Sequence, residues 1–293
     1  MRLVTYNIQF GKGRDGRFDL RRIADAVRDA DVIALQEVER YRSRSGMTDQ
    51  PAELAALLPD HHWVYGPAID LDASVVDRAG KPVHRRRQFG NMLLSRTPIL
   101  STRCFPLPKL AMVAQYSLQR VALEGVIASQ GASGALRVYS IHLDHLTDAA
   151  RGPQVDAILD IHCRAPAEGG AWSGPLTGSS WAVDGPAPPM PREAILMGDF
   201  NLEPSSPLYD RIVGPLSPGS GRGNAMEGFV DAWVAAGHGE RDGITYPGDD
   251  ANPPQRIDYC FVSTGLLPHF RACWIDAEAA GSDHQPVWTE LDL

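Results

Sequence analysis

The chain has 293 residues, 43% of them hydrophobic and 22% charged, with a formal net charge of −8; this is long enough for a large core in one domain or two, and ordinary for a globular protein. It holds no run of about 18 apolar residues that would span a membrane, no secretion-type apolar segment at its start and no metal-type spacing among Cys104, Cys163, Cys260 and Cys273, so the expectation is a cytoplasmic protein without integral membrane association. Its acidic balance disfavours nucleic acid gripped through phosphates as a partner, leaving His84-Arg85-Arg86-Arg87 as the one obvious basic run.

In chain order, LVTYNI reads as a strand, and Asp19 stands as N-cap before the helically spaced Leu20, Ile23, Ala24 and Val27. DVIALQEV is a buried strand and Pro51 to Leu58 a short helix. HHWVYGPAI and QFGNMLLS are strands, with a turn signal at Ala79-Gly80-Lys81-Pro82 between them. LQRVALEGVIAS and ALRVYSIHL form a hairpin around 130–134. A helix starts near Asp148, with Val155, Ile158, Leu159 and His162 on one stripe. Residues 164–192 lose all periodicity and read as an irregular insert, a functional loop rather than a linker. A second irregular stretch spans about 214–224. EAILMGDFN, QRIDYCFVS, RACWIDA and HQPVWTEL complete the strands. Many neighbouring strands are joined by short turns, which excludes a purely parallel sheet and fits mixed sheets packed face to face with helices outside.

Polar residues collect where the apolar strands end. LVTY ends at Asn7, VIALQ at Glu37, RVYSI at His142, and AILMG at Asp199 and Asn201; Asp258 follows Arg256-Ile257, and Asp283-His284 precede Pro286-Val287-Trp288. In an extended chain residues i and i+2 share a face, so Asp199 and Asn201 point together. Each has a plain alternative: Glu37 could pair with Arg40, Asp258 with Arg256, and Asn7 could cap a turn. A buried carboxylate is costly unless paired or bound to metal, so six such ends from distant segments suggest one shared site at a common sheet edge. Carboxylates and amides without thiolates suit Mg²⁺ or Mn²⁺. With histidines for proton transfer, this is equipment for attack of water on a phosphate ester.

TYNIQ, LQEV, GNMLLSR, SIHLDH, MGDFN, RIDYCFVS and SDHQPV stand in the order of the endonuclease/exonuclease/phosphatase superfamily, which this chain resembles from about residue 1 to residue 291. The resemblance implies one domain over 1–293, an α/β four-layer sandwich of two mixed β-sheets flanked by helices (DNase I-like), with the site at one edge. It implies Glu37 as the main Mg²⁺ ligand with Asn7 and Asp283 beside it, and Asp199 aligning or deprotonating the attacking water. Asn201 would bind phosphate oxygens, His284 would be the second candidate base or a phosphate contact, and Asp258 would fix its tautomer. His142 would stabilise or protonate the leaving oxygen, and Asn91 would stand near substrate. HLDHLTDAARGPQ, with His145, Arg151 and Gln154, resembles a bacterial branch of the superfamily. The expected activity is a Mg²⁺-dependent hydrolase of a small or lipid-like phosphodiester or phosphomonoester. The alternative is a nuclease using Arg85 to Arg87, with Trp172 or Trp181 as stacking platforms.

Overall fold

The computed structural model describes residues 1–129, 134–170, 173, 187–224 and 227–293. Its strands are β1 (Arg2–Asn7), β2 (Val32–Arg40), β3 (His62–Asp72), β4 (Val75–Val76), β5 (Pro82–Val83), β6 (Arg86–Ser95), β7 (Ile99–Pro106), β8 (Val121–Ala128), β9 (Ala135–His142), β10 (Ala194–Asp199), β11 (Leu216–Ser217), β12 (Gly221–Arg222), β13 (Phe229–Asp231), β14 (Asp258–Ser263), β15 (Phe270–Ile275) and β16 (Val287–Leu291). The helices are α1 (Leu20–Val27), α2 (Gln50–Leu57), α3 (Asp148–Glu168), α4 (Pro207–Val213) and α5 (Ala232–Ala235).

Two six-stranded sheets dominate, in the orders β15-β16-β1-β2-β6-β3 and β13-β14-β10-β9-β8-β7. Within each, one neighbouring pair is parallel: β1 with β2, and β9 with β10. A parallel pair needs a crossover over the sheet face, and here α1 and α3 supply them. Period-two alternation then divides the side chains among three cores. Leu3, Val32 and Leu93 meet Val138, Ile195, Met197 and Val262 between the sheets. Val4, Ile33 and Leu35 face Ile23, Val27 and Leu54 of α1 and α2. Tyr139, Ile141 and Leu196 face Val155, Ile158 and Leu208 of α3 and α4. The result is the expected α/β sandwich, helices outside and sheets inside. Asp19 caps α1 by accepting from the Arg21 N–H at 2.9 Å, as its position suggested.

Besides α4, β13 and α5, which have no counterpart among the elements expected from the sequence, three stretches depart from expectation. β7 was not foreseen: ILSTRCFP has no apolar run, because it is an edge strand with half-exposed residues alternating with exposed ones. Residues 164–168, assigned to the insert, are the last turn of α3 despite Pro166. A proline here deprives the carbonyl four residues back of its donor; Arg137 replaces it, its guanidinium donating to the His162 carbonyl at 3.1 Å and to His162 Nδ1 at 2.7 Å. Leu216–Ser217 and Gly221–Arg222 form a small two-stranded ribbon inside the second irregular stretch. Trp172 and Trp181, and residues 130–133 of the hairpin turn, lie outside the described residues. Among the described residues no helix is long and apolar enough to cross a membrane.

Burial and the adjacent Arg137 guanidinium push the His162 pKa from 6.5 down to about 4. The unfolded chain therefore binds this proton first as pH falls, and the stability present above 6.5 is lost on the way to about 4. That difference corresponds to roughly 3 kcal/mol. Urea unfolding should show the fall in stability between neutral and acidic pH shrinking by that amount in His162→Gln; an unchanged pH profile would contradict the assignment.

Candidate active site

The alternation that builds the inner core also delivers the site. On β10, Ile195 and Met197 point between the sheets, and Asp199 is next on that face. On β9 the sequence Leu136, Val138, Ser140, His142 runs the same way, and on β14 the face of Val262 and Cys260 ends at Asp258. On β1 it passes from Leu3 through Thr5 to Asn7. Register places these ends together: Asp199 lies opposite Asp258 on one side and His142 on the other. A polar layer separates core from site. Gln36 accepts from the Thr5 hydroxyl at 3.3 Å and donates to Ser140 Oγ at 3.0 Å.

Beyond that layer the functional groups converge. Asn7 Nδ2 donates to Asp199 Oδ2 at 2.9 Å and reaches Glu37 Oε1 at 3.4 Å and His284 Nε2 at 3.5 Å. His284 Nδ1 lies 2.8 Å from Asp258 Oδ2, and its Nε2 lies 3.9 Å from Asp199 Oδ2. Gln9 clamps the same region, its backbone N–H donating to Asn7 Oδ1 at 3.1 Å and its side chain to Asp283 Oδ2 at 2.5 Å. Ser282 donates to the Asn7 carbonyl at 2.7 Å, which fastens the Asp283-His284 loop to β1. Asn201 donates through its backbone N–H to Asp199 Oδ1 at 2.9 Å.

The backbone is bent to make this possible. Glu37 has φ 61° at a register shift between Leu35 and Val38, a bulge that turns its carboxylate out of the ladder toward Asn7. Asn201 has φ 50°. Non-glycine residues in this region are strained, and such strain gathers at functional sites. Gly198 has φ 154°, and a Cβ there would lie 1.9 Å from the Ile141 carbonyl oxygen, so only glycine lets β10 and β9 place Asp199 beside His142.

Burial and mutual charge shift the titration of Asp199, Glu37, His284 and His142. Burial, with the Asp258 charge next, raises the Asp199 pKa. Burial raises that of Glu37, against the pull of Arg120. Burial alone would lower His284, but Asp258, Asp199 and Asp283 override it and raise it. His142 is driven well below its ordinary value by burial and then by the Arg120 guanidinium.

Asn7 does cap a turn, its Oδ1 accepting from the Gln9 N–H while its Nδ2 faces the site, but the two ion-pair alternatives do not hold. Arg40 pairs with Asp49 at 2.8 Å, and Arg256 with Asp231 at 2.7 Å, leaving Glu37 and Asp258 to the site. One expectation needs correction. Asn91 is buried and donates to the carbonyls of Ser140 at 2.8 Å and Val121 at 3.1 Å; its amide ties the two sheets together instead of facing substrate. His142 Nε2 accepts from Arg120 Nη1 at 2.9 Å and lies 3.4 Å from Asp199 Oδ2, and its Nδ1 is buried without a partner. Arg151 and Gln154 brace α3 through the Asp144 carbonyl and N–H.

Arg120 was not foreseen. It is 3% exposed, donates also to His145 Nδ1 at 3.1 Å, and has no carboxylate in ion-pair range among the described residues. The signal was available, since it is a lone arginine opening an apolar strand in LQRVALEGV. Gln9 and Ser282 had no such signal, because their role comes only from loops meeting across the chain.

Residues 4–284 match the model of the Endonuclease/Exonuclease/phosphatase family. No curated protein matches the chain. Among solved structures, it is similar to an endonuclease/exonuclease/phosphatase from Beutenbergia cavernae DSM 12333 (24% identity, 100% of this chain and 71% of that one, TM-score 0.66). It is also similar to one from Bacteroides vulgatus (20%, 100% and 98%, TM-score 0.67). A third is the mannosyl-6-phosphatase from Bacteroides thetaiotaomicron VPI-5482 (18%, 100% and 100%, TM-score 0.63).

Proposed function

Because the chain belongs to the Endonuclease/Exonuclease/phosphatase family, we propose that it is a Mg²⁺- or Mn²⁺-dependent hydrolase that directs water onto the phosphorus of a small or lipid-like phosphate ester. The observation that carries this reading is the hydrogen-bonded chain Glu37–Asn7–Asp199, which crosses from one sheet to the other, with the Asp258–His284 dyad closing it beside Asn7 and Asp199.

The residues fit a hard cation. Glu37, Asn7 and Asp283 offer only oxygen among their acceptors, and Glu37 has no cationic side chain in ion-pair range among the described residues. Asp258 Oδ1 is buried with no partner, a further sign of unspent acceptor capacity at this edge. Asp199, Asp258 and His284 themselves cluster with ligating atoms within 4.8 Å of one another; with Nδ1 of His284 held by Asp258, we assign that group to the reaction and Glu37, Asn7 and Asp283 to the ion. When bound, the ion would polarise a phosphoryl oxygen and offset developing negative charge.

The chain's own residues do the rest. Asp199, oriented by Asn7 and the Asn201 N–H, takes the proton of the attacking water. His284, fixed at Nδ1 by Asp258, presents Nε2 to a phosphoryl oxygen. The Asn201 side chain, anchored to the Leu143 carbonyl at 3.1 Å, lies beside the same space. Arg120 supplies buried positive charge near the leaving side, beside His142. Turnover of p-nitrophenyl phosphate and bis-p-nitrophenyl phosphate should appear with Mg²⁺ or Mn²⁺ and vanish with chelator. Turnover that persists in chelator, or none on any ester class with either ion, would overturn the reading.

A further inference from the structure

Two extensions leave the sandwich at the corner where the site lies. The hairpin between β3 and β6, carrying β4 and β5, starts past the level of Glu37: β2 pairs Val38 with Gly90 and Arg40 with Gln88, and β6 continues outward to Arg86. The loop 107–119 joins β7 to β8 and runs directly into Arg120, which contacts His142. β3 packs over β7 and β8, so both extensions rise from one corner.

Their surfaces are unlike the rest of the molecule. Fourteen large hydrophobic side chains are exposed among the described residues, and Val75, Val76 and Val83 on the hairpin with Leu110, Val113 and Tyr116 on the loop account for six of them. Val76 is 70% exposed and Val113 fully so. Residues 73–87 hold five Arg/Lys and one Asp on a chain of net charge −8. Arg86 pairs with Asp70, while Arg78, Lys81, Arg85 and Arg87 have no carboxylate partner among the described residues. Arg85 and Arg87 instead gather at Tyr41, one over its ring and the other on its carbonyl. Exposed apolar groups clustered in this way mark an interaction surface, and the flanking cations state the sign of the partner.

Building on the phosphoesterase reading above, we propose that this corner docks on an anionic lipid bilayer and presents phosphate-bearing headgroups to the site. Aliphatic tips ringed by cations that lack a carboxylate partner match an interface with apolar depth and negative charge. Single-stranded nucleic acid would call for stacking aromatics, and among these six only Tyr116 is aromatic.

The test is co-sedimentation of the full chain with vesicles of phosphatidylglycerol and phosphatidylcholine, and with phosphatidylcholine alone, beside turnover of soluble p-nitrophenyl phosphate. The wild type should sediment with the anionic vesicles. V76D/V113D and R78E/K81E should each lose at least roughly ten-fold in partitioning, with soluble turnover unchanged because neither pair touches the site. Hydrolysis of the soluble ester without sedimentation on anionic vesicles overturns the inference and leaves the phosphoesterase reading standing. Sedimentation with no hydrolysis of any ester overturns the phosphoesterase reading alone. Equal sedimentation on both vesicle types, or a charge-reversed variant that loses oligonucleotide binding but keeps vesicle binding, also overturns the inference.

Discussion

His284→Ala is expected to lower kcat by roughly 10²- to 10⁴-fold, the range for loss of a positioned proton-handling or charge-stabilising group. His284 is the point where the two sheets' contributions meet, because it is held by Asp258 of β14 and lies against Asn7 of β1 and Asp199 of β10. Its removal leaves Asp258 buried without a hydrogen-bond partner for either oxygen, since Oδ1 already lacks one. That costs about 3–5 kcal/mol of stability, the range for a buried charge that loses its partner, still within what a domain toward the upper part of the usual range of about 5–15 kcal/mol tolerates. The variant should therefore fold, show near-native circular dichroism and be almost inactive with metal present. Near-native turnover on an activated ester would remove His284 from the mechanism.

Glu37→Gln is expected to raise the dissociation constant for Mn²⁺ by more than roughly 100-fold, beyond what losing an outer-sphere partner causes. It should do so without destabilising the metal-free protein. Glu37 is strained at φ 61° and its carboxyl is pushed up by burial. A neutral amide of the same shape relieves the second of these penalties. Calorimetric titration with Mn²⁺ measures the first effect, and thermal unfolding in chelator the second. A variant that binds Mn²⁺ as wild type, or that melts well below it in chelator, would show the carboxylate to be structural. A residue that weakens the empty fold and completes a site is the expected trade of stability for function.

Much of this was legible because burial on both faces leaves a strong trace. β2, β10 and β14 read as strands from unbroken apolar runs, and their polar ends stood out against those runs. Asn7, Asp199, Asp258 and His284 could be grouped from the sequence, since a strand end has one side chain per two residues facing the gap. What stayed hidden depends on tertiary context. β7 lies at an edge and has no apolar run. The end of α3 looked like a break because Pro166 is one locally, and only Arg137 from β9 makes it tolerable. Asn91 resembled a site residue in a site motif, yet inter-sheet carbonyls claim its donors. The bulge that aims Glu37 comes from two-against-one pairing with β6, a property of register that a single strand's sequence does not carry.

The most direct test of the site is anomalous diffraction from crystals grown or soaked with Mn²⁺. A manganese peak bounded by the Glu37 carboxylate, with Asn7 and Asp283 beside it and Asp199 and His284 facing it, is the expected result. A well-ordered crystal with those five side chains apart, or with manganese bound only elsewhere, would contradict the account.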